Sequence, residues 1–333
     1  MEMKPNRIYE FYSKALTSIT ARINSAKERV KYSAIYLLAV LCDIFGRKLN
    51  ILPPESFRTE TNDEDIRINC LGITYDSLDM SGYEADLDAV SSLLKEAHIS
   101  FTELRNMRSK GIDRIQNLNK SRDILKKRGI SAVGDDSFLS GQLFQSGGCT
   151  IGVIAYKRFS PTAKGRHVSV DLMRYILAMK RQHADYIIVY ASNRYKKRST
   201  VTAQERRLHQ FLCKMGADYV VGLTPNILSS GKTFLASHRK ITRSVSSLGV
   251  FLSGKADLFP DRAMLHLRLR KVRGKVQLIQ ESYTPLYKKP DEPLMDLLKS
   301  EAISSPEREK CIGRIERSML RIRPADRMIT LGQ

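Results

Sequence analysis

The sequence predicts an α/β fold in which helices connect the strands of a sheet. Two apolar runs, Tyr186 to Ala191 (YIIVYA) and Tyr219 to Gly222 (YVVG), have the composition of strands that are buried on both faces. A helical pattern precedes each run, from Val170 to Arg181 and from Thr202 to Gly216. Helices that alternate with buried strands are typical of a sheet with crossover connections.

The N-terminal part of the chain predicts a helical arm over residues 1–50. Apolar residues recur at helical spacing between residues 6 and 31, and an apolar run follows from Tyr32 to Phe45. This run contains Asp43 and is shorter than the roughly 20 apolar residues that a membrane span needs. We interpret it as a core or partner-facing helix, and contact with a membrane surface is the alternative.

A polar stretch from Pro53 to Asp65 (PPESFRTETNDED) predicts a linker over residues 51–65. One domain is expected over residues 66–320, followed by a tail over 321–333. Thr202 and Glu205 have the spacing of a capping box at the start of a helix, and Gly216 is expected to end that helix. The other elements predicted within the domain are strands at Ile66 to Ile73, Ile99 to Leu104 and Thr150 to Tyr156, helices at Leu87 to Ala97 and Ser121 to Arg128 (closed by Gly129), and β structure at Ser244 to Leu252, Ala263 to Arg270 and Val276 to Glu281. No internal repeat is visible.

The charge balance indicates an anionic partner. The chain carries 56 Lys+Arg against 35 Asp+Glu, a formal net charge of +21. Such an excess favours nucleic acid, a membrane surface or an acidic polymer, and a solvated basic surface is the plain alternative. The 5 cysteines include no C-x-x-C pair, which argues against a structural zinc site and against a disulfide framework.

Polar and basic side chains follow the predicted strands, where ligand sites form in open α/β sheets. These segments contain almost no histidine or acid, whereas a binuclear metal site needs several carboxylates and imidazoles. They therefore favour contact with an anion rather than with a metal. The candidate ligand-binding residues in these segments are Arg108, Asn193, Arg194, Lys197, Arg198 and Asn226.

The order and spacing of these segments resemble the CapA-type capsule (poly-γ-glutamate) synthesis family, which has a calcineurin-like metallophosphatase fold. The segment from Gly216 to Asp218, together with Gly222 and Pro225, matches the family's Gly-Ala-Asp, Gly and His-Pro-His positions. Ser246 to Phe251 (SSLGVF) is similar to its Tyr-Ser-Leu-Gly-Asn-Phe, and Tyr283 to Leu286 to its closing strand. The resemblance implies a calcineurin-like, CapA-like sandwich of sheets flanked by helices over the domain, with the N-terminal helical arm outside it.

The chain departs from this family at the positions that bind metal. Isoleucine and methionine do not ligate the cations that carboxylate and imidazole bind, and Arg108 places a permanent positive charge at one position. The resemblance therefore implies a non-catalytic member with no metal and no other cofactor. The four positions read Gly72-Ile73, Asn106-Met107-Arg108, Ala191-Ser192-Asn193 and Thr224-Pro225-Asn226, where the family has Gly-Asp, Asn-Asn-His, His-Trp-Gly and His-Pro-His.

A protein of this kind would serve capsule or poly-γ-glutamate assembly by binding an anionic polymer, and its candidate residues would contact carboxylates. The resemblance implies a Mur-ligase-like synthetase and small membrane subunits as partners. The cysteine usage favours a reducing compartment, so we expect a cytoplasmic location, with membrane association as the alternative. His238, beside Arg239 and Lys240, is the histidine with the best case for a binding role. Two other functions stay open: a metallophosphatase-like hydrolase whose ligands lie elsewhere, and a basic nucleic-acid-binding protein.

Overall fold

The structure is a computed structural model that describes part of the chain. The fold divides into two units, Met1–Leu49 with Lys164–Arg174, and Asn50–Ala163 with Tyr175–Gln333. The predicted helices at 6–31 and at Leu87 to Ala97 and the predicted tail lie outside the described residues. The described residues are 33–37, 51–56, 65–70, 101–103, 112–133, 139–157, 165–192, 201–222, 228–235, 241–249, 261–287, 295–296 and 303–319.

The predicted strands and helices that fall on described residues occur in the predicted order, but the helix expected from Ser121 begins earlier, at Ile112. The structure adds strands at Leu139–Ser146 and Leu228–Leu235 and a helix at Ser305–Met319. Helices α1 to α4 span Ile112–Lys127, Gly165–Arg181, Ala203–Met215 and Ser305–Met319. Strands β1 to β7 span Ile51–Ser56, Asp65–Cys70, Phe101–Glu103, Ser131–Val133, Leu139–Ser146, Cys149–Lys157 and Tyr186–Ser192. Strands β8 to β13 span Tyr219–Gly222, Leu228–Leu235, Ile241–Leu248, Asp261–Val272, Lys275–Tyr287 and Met295–Asp296.

The first unit contributes two short described segments. Residues 33–37 are helical, with Ile35 buried and Tyr36 and Leu37 exposed. The other segment is the first part of α2, where Arg174 Nη1 lies 3.4 Å from Asp171 Oδ1. Among the helices that the structure describes, none is both long and apolar enough to cross a membrane.

A mixed sheet of 7 strands, in the order β1-β5-β6-β7-β8-β10-β9, lies at the centre of the second unit. Strands β6, β7, β8 and β10 are parallel neighbours, whereas β5 runs antiparallel to β6 and β9 runs antiparallel to β10. Side chains alternate between the two faces of a strand, and Tyr186 to Ala191 are all buried, so both faces of β7 are covered. The predicted α/β fold is confirmed at this level.

A second sheet of 4 strands, in the order β13-β12-β11-β2, shares a core with the first. Strand β11 alternates Leu265, Leu267 and Leu269, which are buried in that core, with His266 and Arg268, which are partly exposed. Ile68, Ile151 and Ile188 are further members of the same cluster, from β2, β6 and β7. The two sheets therefore bury their apolar faces together.

Two features of the topology differ from what the sequence suggests. Residues 51–56 lie in the predicted linker, yet they form β1, which pairs in parallel with β5. Proline lacks an N–H donor but is tolerated on edge strands, and β1 with Pro53 and Pro54 lies at the end of the sheet order. The second difference concerns β2 and β3. Strand β2 belongs to the four-stranded sheet, and β3 pairs with β4 in a 2-stranded sheet, so neither strand lies in the sheet of β7 and β8. The division into an N-terminal arm, a linker, one domain and a tail stays a prediction.

Candidate functional site

Four parallel strands end at the same edge of the seven-stranded sheet, which we call the carboxyl edge. Strands β6, β7, β8 and β10 end there, at Lys157, Ser192, Gly222 and Leu248. Loops that follow such strand ends form the ligand sites of open α/β sheets. The carboxyl edge is therefore the part of the described structure in which a site is expected.

Helix α3 places a buried histidine at this edge. The helix begins with the predicted capping box: Glu205 N donates to Thr202 Oγ1 at 3.2 Å, and Thr202 N donates to Glu205 Oε2 at 2.7 Å. His209 lies two turns later and is 4% exposed. A Cβ atom on Gly222 would lie 2.6 Å from His209 Cε1, so the imidazole packs directly on the end of β8.

Burial lowers the pKa of His209 from 6.5 to about 4. The imidazole is therefore neutral at neutral pH and adds no charge to the carboxyl edge. From the sequence, His209 could be either a surface or a core histidine on its helix. Its burial shows that it belongs to the core. Its nearness to Gly222 could not be predicted, because it depends on how α3 lies on the sheet.

The end of β10 needs glycine and brings an arginine to the same edge. Gly249 has a φ of 78°, and its N–H donates to Ser247 Oγ at 3.2 Å. A Cβ atom on Gly249 would lie 3.0 Å from the carbonyl oxygen of Asp261 and 3.1 Å from Cγ of Arg262. Arg262 is 1% exposed, so this part of the SSLGVF motif packs against a buried cation.

Helix α4 adds a second arginine through an ion pair. Arg314 donates from Nε to Asp261 Oδ2 at 2.8 Å and from Nη2 to Asp261 Oδ1 at 2.7 Å. These hydrogen bonds raise the pKa of Arg314 further above its ordinary value, and the nearby charge of Asp261 adds to this. The pair joins α4 to Asp261, the first residue of β11.

The candidate residues named from the sequence lie outside the described part of the chain. Asn193 directly follows Ser192, the last residue of β7, and Asn226 follows Gly222 of the neighbouring parallel strand by four positions. For His238, the flanking strands β9 and β10 are antiparallel, so β9 ends and β10 begins at the opposite edge. The candidate residues outside the described ranges are Arg108, Asn193, Arg194, Lys197, Arg198, Asn226 and His238, and Ile73 and Met107 lie outside them as well.

Within the described ranges, no group of three or more His, Cys, Asp or Glu side chains is arranged so that it could hold a metal ion. The two arginines described at this edge, Arg262 and Arg314, are not among the candidates predicted from the sequence. The only sequence signal for Arg262 is its position at the start of an apolar alternating strand, where a charged residue is unusual.

The chain matches none of the known protein families and none of the curated proteins to which it was compared. Two solved structures are similar over much of its length. The GAP50 anchor in the inner membrane complex of Plasmodium is 10% identical with a TM-score of 0.36, over 80% of this chain and 99% of that chain. The calcineurin-like phosphoesterase YfkN from Bacillus subtilis is 12% identical with a TM-score of 0.30, over 72% of this chain and 78% of that chain. A calcineurin-like phosphoesterase is thus among the distant structural neighbours, and neither likeness assigns a function.

Proposed function

We propose that this chain is a non-catalytic, CapA-like protein with a calcineurin-like fold that binds an anionic polymer of the poly-γ-glutamate type at the carboxyl edge. The observation that carries the proposal is the convergence of strand ends: β6, β7, β8 and β10 all end at this edge, and a basic segment follows β7 in the sequence. Among the described residues at this edge, Arg314 pairs with Asp261, Arg262 is buried and His209 is neutral. In the proposal, the cations of the strand-end segments therefore hold the polymer, because clustered cations attract carboxylates.

The segment after β7 supplies further cations to the proposed site. Strand β7 ends at Ser192, and Arg194, Lys197 and Arg198 follow it in the sequence. In the proposal, these residues and Arg108 pair with carboxylates along the polymer, while Asn193 and Asn226 donate hydrogen bonds to them. Exposed ion pairs contribute about 0.2–1 kcal/mol each, so binding depends on many weak contacts and weakens as salt rises.

The partners follow from the resemblance, and both the partners and the location belong to the proposal. A Mur-ligase-like synthetase would produce the polymer that this chain binds, and small membrane subunits would complete the assembly. In this arrangement the chain works on the cytoplasmic side of the membrane and in association with it. Capsule synthesis is then a process that the chain serves by holding the polymer rather than by cutting it.

The test reverses three charges after β7 and measures binding to poly-γ-glutamate over a range of salt concentrations. We expect R194E/K197E/R198E to weaken binding by at least about tenfold at low salt, because each lost pair becomes a repulsive one. The matched control is K271E/R273E/K275E, which makes the same charge change on the exposed tip of the β11–β12 hairpin. The control is expected to change poly-γ-glutamate binding by no more than about threefold.

Two results would contradict the proposal. Equal losses in the two variants would show that only the net charge matters. Stoichiometric Mn, Fe or Zn in the purified chain, together with phosphoesterase activity, would favour the hydrolase alternative. Circular dichroism and thermal unfolding of both variants check the fold, because exposed charges add little to stability.

A further inference from the structure

The opposite edge of the seven-stranded sheet, which we call the amino edge, brings two hairpin tips together. Strand β6 begins there at Cys149, so the β5–β6 turn at Gly147 and Gly148 lies at this edge. Lys271 Nζ donates to Gly148 O at 3.5 Å and places the β11–β12 turn beside it. Both turns have two residues in the left-handed region, with φ of 53° and 68° in the first, and of 51° and 75° at Arg273 and Gly274 in the second.

The acidic side chains described at this edge accept hydrogen bonds from within the fold. Asp185 Oδ2 accepts from Thr150 N at 2.9 Å, and Asp218 Oδ2 accepts from Ile187 N at 2.9 Å. Glu281 accepts from the hydroxyl of Tyr219 and from Arg243 Nη1, the latter at 3.1 Å. These carboxylates connect neighbouring strands and the two sheets, and they are directed into the protein.

Exposed cations also lie at this edge. Lys271, Arg273 and Lys275 are exposed on the β11–β12 turn, and we call these three residues the basic tip. Helix α2 ends nearby with Lys180 and Arg181. Lys180 Nζ lies 2.9 Å from the position that a Cβ atom on Gly216 would occupy, and Gly216 shortly precedes the start of β8 at this edge. Apart from Arg243, which pairs with Glu281, the cations named at this edge are exposed, whereas its carboxylates accept hydrogen bonds from within the fold.

We propose that the basic tip binds the phosphodiester backbone of a nucleic-acid duplex without reading its sequence. A duplex carries one negative charge per about 1.7 Å of its axis, and each cation that neutralises a phosphate releases about 0.9 counterion. A two-stranded ribbon also fits the major groove, which is about 12 Å wide. The polymer in the proposed function has a lower charge density and is bound at the other edge, so this inference is independent of that function.

The composition of the tip favours a duplex over the other polyanionic partners. Residues 270–277 are all described, and they include no aromatic side chain on which a single-stranded base could stack. A membrane contact gains from exposed apolar groups, and the exposed residues of the turn are polar or glycine. Ile279, which is 40% exposed, lies on β12 beyond the turn. Backbone phosphates are therefore the ligand that this surface fits best.

The test measures fluorescence anisotropy of a short labelled DNA duplex with the full chain at several salt concentrations. We expect K271E/R273E/K275E to weaken binding by at least about tenfold and to reduce the slope of log K against log salt by about 2–3, which corresponds to three lost phosphate contacts. The control K120E/K126E/K127E makes the same charge change on exposed residues of α1 and is expected to cost less than about threefold. Two duplexes of different sequence should bind equally.

Three outcomes would overturn the proposal. The first is no duplex binding by the unchanged protein at low salt, and the second is an equal loss of duplex binding in the tip and α1 variants. The third is a tip variant that binds phosphatidylserine vesicles less tightly but binds the duplex as the unchanged protein does. The last result would identify a membrane contact instead. If the tip variant loses its native circular dichroism, K271Q/R273Q/K275Q makes the same comparison without charge reversal. R194E/K197E/R198E should keep duplex binding, so failure here and failure of the polymer site are distinguishable.

Discussion

The two helices that lead into β7 and β8 end in the same way but are packed differently. After α2, His183 is left-handed with a φ of 61°, and Ala184 N donates to Met179 O. After α3, Gly216 is left-handed with a φ of 114°, and Ala217 N donates to Leu212 O. Each ending continues into the tripeptide Ala-Asp-Tyr, and each aspartate accepts from a backbone N–H of the preceding strand. The chain thus repeats one local solution in two consecutive crossovers.

The difference lies in what surrounds the two copies. Seven residues before the left-handed position, the first copy buries Ile176 and the second buries His209. At the strand ends, Ala191 of the first copy is paired in register with Gly222 of the second. A side chain fits at Ala191, whereas a Cβ atom on Gly222 would overlap the carbonyl oxygen of Ser246. Neighbouring backbone therefore restricts the size of the side chain at Gly222 in the second crossover, whereas Ala191 in the first crossover has room for a methyl group.

The largest expected effect comes from the paired strand ends. We expect Gly222→Ala to destabilise the protein by about 3 kcal/mol, because the added methyl group meets backbone that cannot rotate away. Ala191→Gly, at the matched position, should cost about 1 kcal/mol through lost burial and added backbone freedom. Urea unfolding at neutral pH measures both free energies. Equal costs at the two positions would show that the close packing at β8 is not the cause.

The next effect concerns His209, which lies where the first copy has Ile176. Its folded-state pKa of about 4 lies below the unfolded value of 6.5, so the unfolded chain binds more protons between these values. Stability should therefore fall as the pH drops from about 6.5 toward 4, by about 2 kcal/mol at pH 5 for this group. His266, whose pKa burial also lowers to about 4, adds a similar fall.

His209→Gln removes the contribution of His209 to the pH dependence of stability and leaves the contribution of His266. The variant should lose less stability than the unchanged protein between pH 7 and pH 5, as urea unfolding at each pH would measure. His266→Gln serves as the matched control in the second sheet. A pH dependence that neither substitution reduces would mean that other groups cause it.

The smallest effect comes from the left-handed residues. We expect His183→Gly to stabilise the protein by about 0.5–1 kcal/mol, because glycine adopts a positive φ without the Cβ penalty and His183 is exposed. Gly216→Ala should destabilise it by about 1 kcal/mol for the converse reason. Thermal unfolding of both variants gives the comparison, and a loss of stability in the first variant would show that the histidine ring has a structural role.

Local patterns were sufficient for the elements around both crossovers. The apolar runs predict β7 and β8, the spacing of Thr202 and Glu205 predicts the start of α3, and Gly216 ends it as expected. In the N-terminal half of the domain, Gly129 closes α1 with a φ of 77°. These features depend on residues within a few positions of one another, so the sequence contains the whole of the required information.

Features that join distant segments could not be predicted. The pairing of β1 with β5, the place of β2 in the second sheet, and the contact of Lys271 with Gly148 all depend on residues far apart in the sequence. The candidate site was predicted from strand-end segments that lie outside the described residues. Its described part, with Arg262 and Arg314, is formed by the start of β11 and by α4, which follow those segments in the chain.

The sequence by itself determined the alternation of helices and buried strands, the ends of α1 and α3, and the large excess of positive charge. Only the tertiary structure decided which edge each charge occupies: carboxylates directed inward at the amino edge, and Arg262 buried beside Gly249 at the carboxyl edge. The physical reason is the range of the interactions. Helix caps and strand patterns act within one or two turns of chain, whereas the partner of a charge is set by packing between segments that only the complete fold brings together.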